Sequence, residues 1–73
     1  MQKWEYATLN RQRMLNKITL QIGVEAPEKV GEPSDIWYEL TKLGNEGWEL
    51  AVVLPGPVER PDDCTMVFKR PKG

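Results

Sequence analysis

Alternation of apolar and polar residues predicts two strands in the first third of the chain. Residues 3–9 are rich in aromatic and branched side chains, which is typical of a strand. After the polar residues 10–16, residues 17–22 alternate between polar and apolar with a period of two, as a half-buried strand does. Gly23 ends this second strand, and residues 24–33, which hold two prolines and a glycine, are expected to form a loop. The two strands are expected to pair as a hairpin.

The next segment has the spacing of a helix. Ser34 is a suitable N-cap, because its hydroxyl can accept a backbone N–H from the first helical turn. Apolar residues follow at helical spacing and predict a stripe that faces the core, made of Ile36, Trp37, Leu40 and Leu43. Glu39 is expected on the solvent side. The pattern therefore predicts one helix of about three turns over residues 35–46.

Two glycines in the segment LGNEGWEL mark the end of this helix. Gly47 falls where a residue with positive φ stops a helix, a conformation without steric cost for glycine. Gly44 lies inside the helix, at a cost of about 1 kcal/mol relative to alanine, and we expect it to allow close approach of the helix to the sheet. A GxxG loop that clamps nucleic acid joins two helices, and a phosphate-cradling loop leads from a strand into a helix. Here the helix is followed by a predicted strand, which favours a structural corner.

Two further strands are predicted after the helix, at residues 48–54 and 64–69, with the proline-rich residues 55–63 between them. The face expected to meet the helix carries Trp48, Leu50, Val52 and Leu54 in the first of these strands and Cys64, Met66 and Phe68 in the second. The order β-β-α-β-β predicts a single α+β domain over residues 1–73. Its antiparallel sheet is expected to have three or four strands, with one helix packed on one face.

One helix covers only one face of such a sheet, so the other face is expected to meet solvent. The alternation places Ala51, Val53 and Val67 together on that uncovered face. Exposed apolar residues side by side on paired strands favour an interaction surface, and a two-fold contact with a second copy is the commonest kind. We therefore expect a non-enzymatic interaction module that associates with itself, with an unidentified protein as the other candidate partner.

Composition removes several classes of chemistry. The chain has 73 residues, a net charge of −1 and no histidine, so the commonest general base and metal ligand is missing. The single cysteine, Cys64, shares a face with apolar neighbours and is expected to be a buried structural thiol. Three acidic residues of the proline-rich loop match no calcium-loop spacing and are expected to be solvated, namely Glu59, Asp62 and Asp63. We predict no catalytic residues, no metal and no cofactor, and hence no enzyme.

The apolar runs of the chain are short. The longest, residues 50–54, is far below the roughly 20 residues that span a bilayer, and the first residues do not have the apolar region of a signal peptide. We expect a cytoplasmic protein without membrane contact.

A second candidate surface would bind nucleic acid. It combines aromatic side chains that could stack on bases with basic ones that could contact phosphates, namely Trp4, Tyr6, Arg11, Arg13 and Lys17. Pairing of the first two strands would bring the three basic residues near one end of the hairpin. The net charge of −1 argues against strong binding, so nucleic acid is the less favoured partner.

Three short motifs resemble one known family. KWEY at residues 3–6, LGNEGWEL at residues 43–50 and FKRP at residues 68–71 resemble the bacterial family called domain of unknown function 4177. The resemblance covers both ends and the middle of the chain but not residues 10–33. It implies an α+β domain, and it brings no established activity and no functional residues.

Overall fold

The computed structural model describes residues 2–56, 59 and 63–72. In chain order, its elements are β1 (Trp4–Gln12), β2 (Lys17–Ile22), β3 (Glu28–Gly31), a short 3-10 turn (Pro33–Asp35), α1 (Ile36–Asn45), β4 (Glu49–Pro55) and β5 (Cys64–Pro71). Every neighbouring strand pair is antiparallel, and the order across the sheet is β3-β2-β1-β5-β4. This is the predicted α+β fold, with five strands in place of the three or four expected.

Strand β3 lies within the segment for which only a loop was predicted. It pairs with β2 and forms one edge of the sheet. Pro27 and Pro33 lie just outside the strand, so their missing N–H groups remove no hydrogen bond from the ladder. Val30 packs against the core, which gives the short strand an apolar anchor. The two prolines therefore bound a strand instead of marking a continuous loop.

Strand β1 is longer than predicted, because it continues through the polar Asn10 to Gln12 and pairs with both β2 and β5. The side chains of Asn10 and Gln12 lie on the face of the sheet opposite to Leu9, where they meet solvent and need no buried partners, whereas Arg11 between them lies on the same face as Leu9. The polar stretch is therefore part of a strand with one face in solvent, and it is not a loop between two strands. The predicted hairpin of the first two strands is confirmed, with its turn at residues 13–16.

The core lies between the helix and the three central strands. Leu9 of β1 and Ile18 of β2 are fully buried, and the buried apolar cluster consists of Ala7, Leu9, Ile18, Leu43, Trp48, Met66 and Phe68. Burial of each large apolar side chain contributes about 1.5–3 kcal/mol relative to exposure. The inward faces predicted for β2 and β5 and the core position predicted for Trp48 are confirmed.

Helix α1 begins after a 3-10 turn, and its N-cap is Asp35 instead of the predicted Ser34. The Asp35 carboxylate accepts a hydrogen bond from the backbone N–H of Glu32 at 2.9 Å. This bond satisfies a donor before the 3-10 turn and none of the first N–H groups of α1, and no side chain at the N-cap of α1 donates or accepts a capping hydrogen bond. The predicted helix at residues 35–46 agrees with the observed Ile36–Asn45 within one residue at each end.

The covered face of α1 is turned from the predicted one. Trp37 is 77% exposed, whereas Glu39 is buried, so both expectations for these residues are wrong. At about 100° per residue, Ile36, Leu40 and Leu43 lie within about 60° of one another on the helix surface. Trp37 lies about 100° from Ile36 and points to solvent, and Glu39 lies about 40° from Leu43 on the covered side. The prediction placed Trp37 in the core only because its side chain is apolar, and the helix geometry puts it on the solvent side.

The helix ends as the glycine pattern predicted. Gly47 has φ +89°, its N–H donates to the Gly44 carbonyl at 3.1 Å, and the Trp48 N–H donates to the Leu43 carbonyl at 3.0 Å. These two hydrogen bonds and the buried contact of Trp48 and Leu43 within one cluster form a Schellman-type stop. The expectation for Gly44 is wrong, because a Cβ added there would meet no atom within 4 Å. Its position in the helix gives no close approach to the sheet.

A bulge in β4 decides which side each of its residues faces. Leu50 pairs with Phe68 and Val52 pairs with Val67, so Ala51 is an extra residue in the ladder. One extra residue reverses the alternation beyond it. Val53 therefore lies opposite Met66 on the helix side, and Val52 lies on the uncovered side. The prediction that Ala51, Val53 and Val67 share the uncovered face is wrong, as is the inward assignment of Val52 and Leu54.

Candidate interaction surfaces

The whole of β4 is exposed at one edge of the sheet. Its four large apolar residues, Leu50, Val52, Val53 and Leu54, each retain between 45% and 52% exposure. The bulge divides them between both faces of the sheet, and the outer side of β4 pairs with no other strand among the described residues. The result is an apolar edge, open on both faces, which we call the β4 edge and define as residues 49–55.

Few features of the β4 edge discourage pairing with another strand. Natural edge strands are protected by lysine, by proline, by bulges or by a covering element. Here the charged residue is Glu49, whose carboxylate lies 3.7 Å from the Lys69 ammonium of β5, and Pro55 stands at the end of the strand. The bulge at Ala51 bends the strand locally, but the apolar residues around it stay exposed. The β4 edge can therefore form main-chain hydrogen bonds with another strand and make apolar contacts with it on both faces of the sheet.

A second surface lies on the side of the sheet away from α1, which we call the open face. It includes a groove of about 560 Å³ whose uncharged polar lining is Thr8, Asn10, Gln12, Thr19, Gln21 and Thr65. Lys17 of β2 and Lys29 of β3 also line the groove, together with Pro27. Among residues 2–56, 59 and 63–72, no acidic side chain contributes to this lining. In a chain with a net charge of −1, the groove is thus a locally basic and strongly hydrogen-bonding surface.

The aromatic residues of β1 continue the same row of side chains. Trp4 and Tyr6 alternate with the buried Ala7 and therefore lie on the open face with Thr8. Tyr6 is 53% exposed. The Lys69 ammonium lies 4.6 Å from the centre of the Trp4 ring, a cation–π contact that holds the tryptophan against the sheet.

The five residues of the candidate nucleic-acid surface do not form one patch. Trp4, Tyr6 and Lys17 lie on the open face, as the strand alternation and the groove lining place them. Arg11 lies opposite Ile18 and Cys64 on the helix side, and its Nε is buried without a hydrogen-bond partner. Arg13 lies in the hairpin turn, where its backbone N–H donates to Asp63 Oδ1 at 3.0 Å. Lys29, in the strand that was not predicted, is the basic residue that sequence reasoning missed.

A further group of polar contacts lies at the corner between α1 and β4. The Arg70 guanidinium forms an ion pair with Glu5, donates to the Glu46 carbonyl at 2.8 Å, and lies 4.2 Å from the centre of the Trp48 ring. It thus joins β5, β1 and the helix end through one side chain. Because these three contacts are made within the chain, we assign this cluster a structural role.

The residues considered for catalysis or metal binding are Cys64 and the acidic residues of the proline-rich loop. Cys64 is a free thiol, partly buried on the core side, in agreement with a structural role. Asp63 is buried and not solvated as expected, Glu59 is exposed, and Asp62 lies outside the described residues. Within residues 2–56, 59 and 63–72, no group of three or more potential ligands could hold a metal ion. In the same residues, no helix has the length and apolar character needed to cross a membrane.

No protein-family model, no curated protein and no solved structure matches the chain. The resemblance to the domain of unknown function 4177 family stays a prediction.

Proposed function

We propose that the chain is a non-enzymatic self-association module in which the β4 edges of two copies pair with each other. The observation that carries this proposal is the exposure of every residue of β4, with apolar side chains on both of its faces. An edge strand of this kind is a template for another strand. A second copy of the chain supplies a strand with the same properties.

Antiparallel pairing of two β4 strands would extend the sheet across a two-fold axis. Because this axis stands perpendicular to the sheet, both helices would lie on one side and both open faces on the other. Leu50 and Val53 would gain cover on the helix side, and Val52 and Leu54 on the open side. Burial of the exposed half of each side chain contributes about 1 kcal/mol, and the new main-chain hydrogen bonds add to this.

The charges of the strand tolerate this arrangement. In a register centred on Val52, Glu49 of one copy lies near Pro55 of the other. The two Glu49 carboxylates are then roughly 20 Å apart along the strands, given a rise of about 3.3 Å per residue. This distance exceeds the Debye length of about 8 Å at physiological salt, so their repulsion is largely screened.

Sedimentation equilibrium of the native chain and of Val53→Lys tests the proposal. We expect the native mass to rise towards twice that of one chain over a concentration range of about 1 µM to 1 mM, because contacts of this size give dissociation constants within it. Val53→Lys should weaken association at least tenfold, since the two-fold axis brings two lysines into one interface. Val24→Lys is the matched control, because Val24 is fully exposed between β2 and β3 and distant from the β4 edge. A native chain that stays monomeric throughout would contradict the proposal.

A further inference from the structure

We propose that the open face binds single-stranded nucleic acid, with phosphates over the lysine end of the groove and bases over the aromatic end of β1. The site belongs to a single chain and does not depend on the pairing of β4 edges. It differs from the surface expected from the sequence, because Arg11 and Arg13 are not part of it.

The charge of the groove favours a phosphate backbone. Lys17 and Lys29 lie on β2 and β3 and line the groove together, and no carboxylate of the part of the chain that the structure describes shares this lining. Glu49 also lies towards the open face, but it is near the opposite edge of the sheet and is paired with Lys69. The groove therefore holds a positive potential that the net charge of −1 conceals.

The side chains along the open face of β1 suit a single-stranded nucleic acid, because aromatic rings at one end are followed by hydrogen-bonding groups. Tyr6, with half of its surface free, lies two residues from Thr8 on the same face, which is roughly 7 Å along the strand. Bases stack on exposed aromatic rings without regard to sequence, and stacking is a main source of affinity for single strands. The distance from Trp4 to Gln12 is roughly 26 Å, enough for about four nucleotides, which is the lower end of the site sizes seen on small β domains.

The neutral side chains between the two ends suit sugars and base edges. Thr8, Asn10 and Gln21 offer both donors and acceptors and line the groove without being needed by the core. A duplex would require a broad basic surface, whereas two lysines and a narrow aromatic row suit one strand. Neutralisation of two phosphates predicts a slope of about −1.4 for log affinity against log salt, or a loss of about sevenfold between 50 and 200 mM salt.

Fluorescence anisotropy with a labelled ten-nucleotide oligothymidylate at low salt tests this inference. We expect the native chain to bind, and the double variant Lys17→Ala/Lys29→Ala to lose most of the salt dependence. Tyr6→Ala should weaken binding about fivefold or more, since it removes one stacking platform. Lys42→Ala is the matched control, because Lys42 is exposed on α1, away from the open face, and its removal should leave binding unchanged. Thermal melts of each variant confirm that it is folded.

Two results would overturn the inference. One is the absence of any anisotropy change for the native chain at low salt, where a phosphate-dependent binder must bind most strongly. The other is equal competition by linear polyphosphate together with full binding by Tyr6→Ala, which would show a simple anion surface. The same titration on Val53→Lys separates this inference from self-association, because Val53 faces the helix side and its substitution should leave oligonucleotide binding by one chain intact.

Discussion

Replacement of the two glycines of LGNEGWEL by alanine, one at a time, should change the free energy of unfolding in opposite directions. Gly44 is exposed within α1, and a Cβ added there meets no atom within 4 Å. Gly44→Ala should therefore stabilise the chain by about 0.5–1 kcal/mol, because alanine loses less backbone entropy in a helix. Gly47 has φ +89°, so Gly47→Ala forces a Cβ into a conformation that costs an L-residue about 1–2 kcal/mol.

These free energies correspond to measurable shifts in Tm. A change of 1 kcal/mol shifts the Tm of a domain of this size by roughly 4–8 °C. We expect an increase of about 2–8 °C for Gly44→Ala and a decrease of about 4–16 °C for Gly47→Ala. Urea unfolding followed by tryptophan fluorescence gives the free energies directly, because Trp48 is buried in the folded chain. All variants should be compared at one protein concentration, since self-association would add to stability.

Either of two results would refute the account of this corner. A loss of more than about 1 kcal/mol in Gly44→Ala would mean that the helix packs closely on the sheet at Gly44, as the sequence first indicated. An unchanged stability in Gly47→Ala would mean that the helix does not need positive φ at Gly47 to end, so that the hydrogen bond from the Trp48 N–H to the Leu43 carbonyl could form without it.

Two further predictions concern Arg70, whose structural role was not predicted from the sequence, and Trp37, whose predicted burial is wrong. Arg70→Ala should lower the free energy of unfolding by about 2 kcal/mol, because it removes the ion pair with Glu5, the hydrogen bond to the Glu46 carbonyl and the stacking on Trp48. Urea unfolding measures this free energy, and a change below about 0.5 kcal/mol would contradict the structural role of Arg70. Trp37→Lys should change stability by less than about 0.5 kcal/mol, because the side chain is exposed, and a loss above about 3 kcal/mol would show that Trp37 is part of the core after all.

The sequence predicts best those elements in which one local rule acts without competition. The glycine at position 47 predicts the end of α1, since positive φ is nearly reserved for glycine, and the structure has Gly47 at φ +89°. The inward faces of β2 and β5 follow from strict alternation. These features depend on a few neighbouring residues, so no tertiary information is needed to find them.

The bulge at Ala51 is a feature that local sequence patterns do not predict. Residues 50–54 form one unbroken apolar run, so both faces of β4 are apolar in any register and nothing in the sequence marks the extra residue. The bulge arises from the register with β5, which is a long-range property. The extra residue in the ladder places Val52 and Val53 on the faces opposite to those predicted. The apolar residues expected to form a patch on one face of the sheet are therefore exposed along an edge, on both faces.

Strand β3 has the same effect on the open face, because it adds a lysine that the sequence pattern does not assign to a strand. The two prolines that suggested a loop only bound the strand, so Lys29 could not be placed beside Lys17. Arg11, by contrast, was grouped with Lys17 by its nearness in the hairpin, although side-chain alternation puts the two residues on opposite faces. Candidate surfaces on sheets therefore require the register of every strand before their members can be named.

The most direct test of the central claim is a cysteine cross-linking scan of the β4 edge. Single cysteines at positions 51–54 are introduced into a Cys64→Ser background, with Val24→Cys in the same background as the control, and mild oxidation is followed on a non-reducing gel. Two-fold antiparallel pairing brings only the residue at the two-fold axis close to the same residue of the other copy, at about 4.5–5.5 Å between Cα atoms, which is within the range that a disulfide spans. We predict a covalent dimer at one or two neighbouring positions and none for the control. Equal, slow oxidation at all positions and in the control would contradict pairing through β4.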